Sequence, residues 1–197
     1  MTSEWTRAKE ALLSGKLAVI PTDTIYGVTA CAFKPEAIKL LDGVKKRSNS
    51  DPYIILIADQ KDLALFGVEL SQKQSQFLTK IWPGPVSLIL SPTNKELNYL
   101  YRHKNIALRL PDNDNLRNLI RQTGPLAAPS ANPAGAPPAQ TIEEAKAYFG
   151  ESVASYVHQE QEPFIGQAST LVDLSQDEPK ILRQGKTDIT KAISCLK

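Results

Sequence analysis

Cysteine and histidine are nearly absent. Only Cys31, Cys195, His103 and His158 occur in 197 residues, with no CxxC and no Cys/His grouping. That excludes a disulfide framework and a zinc site of ordinary ligand spacing, and it suits a reducing compartment. Charge of one sign is also missing. The 23 Lys and Arg face 21 Asp and Glu, a net of +2, which is too little for bulk electrostatics to imply nucleic-acid binding. No apolar run approaches the roughly 20 residues that span a bilayer. Met1-Thr2-Ser3-Glu4-Trp5 shows no apolar signal-peptide region. A cytoplasmic protein without a membrane partner is expected. Walker A, G-x-G-x-x-G and H-E-x-x-H motifs are all lacking, so a nucleotide would have to bind by another route. No Ser/His/Asp arrangement is evident, and both histidines sit among polar residues, as surface side chains do.

What is present reads as a globular enzyme or binding domain. Apolar residues make up 42% and charged residues 22%, enough to bury a core. There is no internal repeat and no low-complexity linker, so residues 1–197 read as one domain. Ser3 can cap a helix over residues 4–14, with Gly15 as its stop. Residues 17–20 form a short buried strand, and residues 28–33 are extended. Pro35 suits the first turn of a helix that Lys45-Lys46-Arg47 closes. Strands follow at residues 53–58, 86–90, 105–110 and 126–128, then at 153–157, 169–174 and 180–182. Helices are expected at 61–66, 72–81 and 113–122, and another where Thr141 and Glu144 make a capping box. Strands and helices interleave with uneven loops. This predicts an α/β fold with a mixed sheet.

Polar or glycine-bearing turns follow several of these strands. The first is Pro21-Thr22-Asp23-Thr24-Ile25-Tyr26-Gly27-Val28, dense in hydroxyls and ended by a glycine. Ligand sites in open α/β sheets lie at such strand ends, although Thr/Asp turns also serve simply to join elements. The others are Arg109-Leu110-Pro111, Ser130-Ala131-Asn132 and Arg183-Gln184-Gly185. If they converge, one cleft holds two arginines, several hydroxyls and an amide, with Lys45 and Arg47 able to reach the rim. Cations and hydroxyls in that combination suit phosphate or carboxylate. Each feature has a plainer reading too: a solvated helix end for Lys45-Lys46-Arg47, surface ion pairs for Arg109 and Arg183, a bare loop for Ser130-Ala131-Asn132. Trp82-Pro83-Gly84-Pro85 reads as a structural turn with a packed tryptophan.

Taken together and in order, these stretches resemble the YrdC/TsaC threonylcarbamoyl-AMP synthases. The matching segments are Pro21–Gly27, Lys45-Lys46-Arg47 (a K-x-R), Trp82–Val86, Arg109–Asp112, Pro129–Gly135, Ser169–Asp173 and Leu182–Gly185. The resemblance implies a twisted, open mixed β-sheet with flanking helices around a large basic concave cleft. It implies an enzyme that joins L-threonine, bicarbonate and ATP, with Mg²⁺ on the phosphates, and releases pyrophosphate. Partner proteins would then pass the threonylcarbamoyl group to adenosine 37 of tRNAs reading ANN codons. By resemblance, Lys45 and Arg47 act catalytically at the carboxylate, carbamate and phosphates, and Thr22, Thr24 and Tyr26 line the pocket. Ser130 and Asn132 hold the nucleotide, Arg183 lies near its ribose or phosphate, Arg109 adds positive charge, and Ser169 or Thr170 touches the amino-acid end. No protein-held metal site is implied.

One departure stands out. Asp51 occupies a place where the family commonly has lysine, which removes a cation from the expected cleft rim. Two other readings compete. A tRNA- or double-stranded-RNA-binding module would favour aromatic platforms or a basic stripe, but aromatics are only 7%. A domain handling carbamoyl phosphate would normally sit in a much longer chain.

Overall fold

The computed structural model describes residues 3–46, 53–101, 103–159, 166–176 and 178–194. Helix α1 (Ser3–Leu13) buries Trp5, Ala8, Ala11 and Leu12. Strands β1 (Ala18–Pro21) and β2 (Tyr26–Cys31) form an antiparallel hairpin that closes on the Pro21–Tyr26 pair. Proline lacks an N–H and so sits naturally at the end of a ladder. Helix α2 (Pro35–Lys45) has its proline in the first turn and ends where Lys46 turns left-handed at φ 49°. Next come β3 (Ile54–Leu56), a 3₁₀ segment at Gln60–Phe66, α3 (Gln72–Ile81) and β4 (Val86–Leu90). A second 3₁₀ segment at Lys95–Leu100 precedes β5 (Ile106–Arg109) and α4 (Asp114–Thr123). The chain continues through β6 (Leu126–Ala127), α5 (Ile142–Phe149), β7 (Ser155–Tyr156), β8 (Thr170–Asp173), β9 (Lys180–Arg183) and α6 (Thr190–Ser194).

The strands form one nine-stranded sheet in the order β7-β1-β2-β6-β3-β5-β4-β8-β9. Three neighbouring pairs are parallel: β1 with β7, β3 with β5 and β4 with β8. The other pairs are antiparallel and the outermost strands do not meet, so the sheet is mixed and open, as expected. Alternate residues point to opposite faces. Ala18 and Ile20 face a cluster with Trp5 and Leu12 of α1 and Leu116, Leu119 and Ile120 of α4. Leu17 and Val19 face a larger cluster with Ile38 and Leu41 of α2, Phe77 and Leu78 of α3 and Phe149 of α5. Both faces are covered, which is why β1 reads as an apolar run and both β1 and β2 are buried throughout.

The structure departs from expectation mainly at element ends. The 53–58 strand shortens to β3, the 105–110 strand to β5, and residues 61–66 coil as a 3₁₀ segment. Thr141 caps α5 as expected, but the Glu144 carboxylate accepts from the Gln140 N–H instead of closing a box on Thr141. The Trp82 turn is structural: the indole is buried and donates to the Val86 carbonyl at 2.7 Å. His103 and His158 are indeed exposed. Among the described residues no helix is long and apolar enough to cross a membrane.

Two outcomes follow from this architecture. Gly43 lies on the exposed side of α2, where an added Cβ meets nothing within 4 Å. Gly43→Ala should therefore stabilise the protein by about 0.5–1 kcal/mol in urea denaturation, since glycine loses more backbone freedom in a helix. Glu4 of α1 receives hydrogen bonds from the His158 backbone N–H at 3.0 Å and from the His158 ring at 2.9 Å. Burial raises the Glu4 pKa, but His158 and Arg7 outweigh it and hold it below 4.5. A carboxyl depressed on folding lends stability above its unfolded pKa and loses it as pH falls through the folded value. Thermal melts from pH 6 to pH 3 should thus fall less steeply for Glu4→Gln than for the parent.

Candidate functional site

Thr22 builds the turn between β1 and β2. Its hydroxyl donates to the Ile25 carbonyl at 2.7 Å and accepts from the Thr24 and Ile25 N–H groups at 3.1 and 3.2 Å. It also lies 2.9 Å from the Thr24 hydroxyl. This hydroxyl-closed turn projects Thr24 toward the end of β5, where Arg109 Nη1 donates to Thr24 Oγ1 at 3.2 Å. Asp23 lies on the other side of the guanidinium. Its Oδ1 is 3.2 Å from Arg109 Nη2, with the two side chains only 6% and 5% exposed. Asp23 Oδ2 accepts from the Asp112 N–H at 3.1 Å, and the Asp23 carbonyl accepts from Lys186 Nζ at 2.7 Å. Burial lowers the Arg109 pKa, Asp23 opposes that shift, and Arg183 adds to it.

The Pro129–Pro133 loop packs against the same turn. Pro129 and Ala131 bond to the backbone of Val28 and Tyr26. Gly27 permits this approach: a Cβ there would stand 3.4 Å from the Pro129 carbonyl oxygen. Lys45, at the C-terminus of α2 and 7% exposed, reaches into the loop. Its Nζ donates to the Ser130 carbonyl at 2.7 Å, the Asn132 carbonyl at 2.5 Å and Asn132 Oδ1 at 3.2 Å. Ser130 Oγ donates to Asn132 Oδ1 at 2.5 Å, and Asn132 Nδ2 donates to the Ala136 carbonyl at 2.7 Å.

A third wall comes from β8 and β9. The hydroxyls of Ser169 and Ser87 lie 2.8 Å apart in a buried pair. Arg183 donates from Nη2 to the Ser169 carbonyl at 3.0 Å. Thr170 is committed to the following turn, donating to the Thr187 carbonyl at 2.6 Å and accepting from the Gly185 N–H at 3.0 Å.

These segments enclose a cavity of about 160 Å³, walled by Thr22, Thr24, Tyr26, Arg109, Ser130, Ser169 and Arg183 among others. A second hollow of about 450 Å³ shares Thr22 and adds Asp23, Asp112 and Lys186. Seven of the residues expected at the site thus share one cavity. Lys45, Asn132 and Thr170 are not among its lining residues, and Arg47 and Asp51 fall outside the described residues. Arg109 is no surface ion-pairing residue, being 4% exposed as a whole. Sequence reasoning missed the roles of Asp23 and Lys186. An acid inside a hydroxyl-rich turn, with a strand-end arginine elsewhere in the chain, was the available signal for the first; Lys186 had none.

Comparison with known proteins agrees with the geometry. The Sua5/YciO/YrdC family model, described as "Telomere recombination", matches residues 10–185. A relative from Mycobacterium tuberculosis (strain ATCC 25618 / H37Rv) is 32% identical over 177 residues, covering 89% of this chain and 81% of that protein. The threonylcarbamoyl-AMP synthase of Pyrococcus abyssi (strain GE5 / Orsay) is 32% identical over 174 residues, and the chain spans 51% of its length. The crystal structure of P. abyssi Sua5 complexed with L-threonine superposes with a TM-score of 0.86 at 28% identity, over 100% of this chain and 58% of that one.

Gly185 gives the site a steric test. A Cβ there would stand 2.2 Å from the Ala168 carbonyl oxygen and 2.5 Å from that of Ser169, both backbone atoms that cannot swing away. Gly185→Ala should cost about 1–3 kcal/mol as overpacking, read from its urea midpoint, and should displace Arg183 from Ser169 in a crystal structure of the variant.

Proposed function

The chain belongs to the Sua5/YciO/YrdC family, and on that premise we propose that it is a threonylcarbamoyl-AMP synthase, an enzyme of the nucleotidyltransferase class working in the cytoplasm. The substrates are L-threonine, bicarbonate and ATP, and the products are threonylcarbamoyl-adenylate and pyrophosphate. Downstream proteins then transfer the threonylcarbamoyl group to tRNA. The observation that carries the reading is the convergence of Thr22, Thr24, Tyr26, Arg109, Ser130, Ser169 and Arg183 on one cavity, together with a relative's structure holding L-threonine.

The chemistry asks for little beyond placement and charge. The threonine amine condenses with bicarbonate to a carbamate, with loss of water. A carbamate oxygen then attacks the α-phosphorus of ATP and pyrophosphate leaves. Both steps gather negative charge, so cations and hydrogen-bond donors fixed beforehand lower the barrier without a protein nucleophile. Arg183 supplies that charge at the cavity, beside an Arg109 that is paired with Asp23. The hydroxyls of Thr24, Tyr26 and Ser169 orient the amino acid. Ser130 and Asn132, held by Lys45, shape the loop over which the nucleotide extends. Among the described residues no three His, Cys, Asp or Glu side chains group as metal ligands, and Asp23 is committed to Arg109. Mg²⁺ enters this reading with ATP, on its phosphates, as part of the substrate.

Incubation with ATP, Mg²⁺, bicarbonate and L-threonine should release pyrophosphate only when threonine is present. Release that ignores threonine, or none, overturns the reading. Lys45→Ala and Arg47→Ala should each lower kcat/KM by about 10²-fold or more, the scale of losing a charge-stabilising contact, while the circular dichroism spectrum is unchanged. A tRNA-binding module would instead show salt-sensitive tRNA binding indifferent to threonine and ATP.

A further inference from the structure

The Asp23–Arg109 pair is buried yet incompletely bonded. Arg109 Nη2 and Asp23 Oδ1 are 3.2 Å apart, but their alignment is that of an ion pair without a hydrogen bond. Asp23 Oδ1 and Arg109 Nε both lack hydrogen-bond partners among the described residues. Arg109 nonetheless lines the cavity, with Arg183 on the same wall. The guanidinium is thus held on its Nη side by Asp23 and Thr24, with its Nε–H buried and unbonded, at the wall of a cavity that can take a ligand.

We propose that Asp23 is a positioning residue for the anion-binding cavity: its carboxylate orients Arg109 and cancels its charge, so that the excess positive charge meeting a ligand oxyanion is that of Arg183. The acid sets how strongly the site holds an oxyanion. Without it, two guanidiniums would share one cavity with no counter-charge, and a bound carboxylate or phosphate would have to supply it. The groups around the pair fit this. Lys186 reaches the Asp23 carbonyl, not its carboxylate, and Asp112 contributes only its backbone N–H. Among the described residues, Asp23 supplies the carboxylate that is ion-paired with Arg109.

Asp23 as a mere turn cap and Asp23 as counter-ion predict different linkage between ligand and stability. A ligand stabilises the folded state in proportion to its affinity for it. If Asp23 is the counter-ion, Asp23→Asn melts lower than the parent, yet inorganic phosphate or L-threonine raises its melting temperature more than the parent's. The apparent dissociation constant for the responding probe should fall about tenfold, the effect of one unit of charge at partly screened range. Whichever probe shows the larger gain identifies the oxyanion, phosphate or carboxylate, that Arg109 and Arg183 meet. Equal gains in variant and parent for both probes overturn the proposal. Asp23→Glu keeps the charge and should keep the parent's response. Should Asp23→Asn fail to fold, the Asp23→Asn/Arg109→Gln double variant, neutral at both positions, should fold and respond to phosphate as the parent does, because the net charge of the cavity is unchanged; a response well above or below the parent's overturns the proposal. The inference rests on the synthase reading only for the identity of the ligand. Parent protein that releases no threonine-dependent pyrophosphate would sink that reading and leave the melting data to decide this one.

Discussion

A guanidinium carried out of water into the middle of a sheet constrains everything around it. Removing an ion from water costs several kcal/mol even after relaxation, and only close, well-placed partners offset that. Arg109 ends β5, a central strand, and is 4% exposed. Its partners come from the turn between β1 and β2, although β6 and β3 lie between β2 and β5 in the sheet. The turn therefore has to carry an acid and a hydroxyl at adjacent positions, and Asp23 and Thr24 are those residues. Thr22 must then close the turn on itself, as its bonds to Thr24 and Ile25 show. The hydroxyl-rich composition of the segment is the consequence of one buried charge and one tight turn.

The second cation is used differently. Lys45 has three N–H donors and three described acceptors within 3.2 Å, all on residues 130 and 132. An ammonium so engaged fixes a loop that has no regular secondary structure to hold it. Its place at the end of α2 is also where the helix dipole favours positive charge. Resemblance to the family set Lys45 at the substrate. The geometry shows its ammonium bonded to the loop at Ser130 and Asn132.

Much of this was legible in the sequence, and the reasons for the rest are physical. Local signals located the elements: Pro35 and Thr141 at helix starts, an unbroken apolar run at β1. Their ends shifted because pairing, not propensity, decides where a strand stops; the ladder of β3 runs only from Ile54 to Leu56. The sheet order was not legible, since β7 beside β1 and β8 beside β4 are long-range pairings with no local trace. The same holds within the site. The hydroxyls and arginines were visible as residue types at strand ends, and seven of them do share the cavity. What Asp23 touches was not visible, because one partner lies at Arg109 and the other at Lys186, 163 positions along the chain.

The polar groups of this site are mostly bonded to one another before any ligand arrives. Thr22 holds Thr24, Ser87 holds Ser169, Ser169 holds Arg183, and Asp23 holds Arg109. Dipoles locked in this way need not reorganise when charge develops nearby, which is where electrostatic catalysis gains over water. The cost of locking them falls on folding, where nine strands and two apolar faces can carry it. Polar groups arranged in this way can present a reactive surface without a protein nucleophile. Its chemistry lies in the spacing of charges that the sheet brings together, and the turn at Thr22–Ile25 is where that spacing is set.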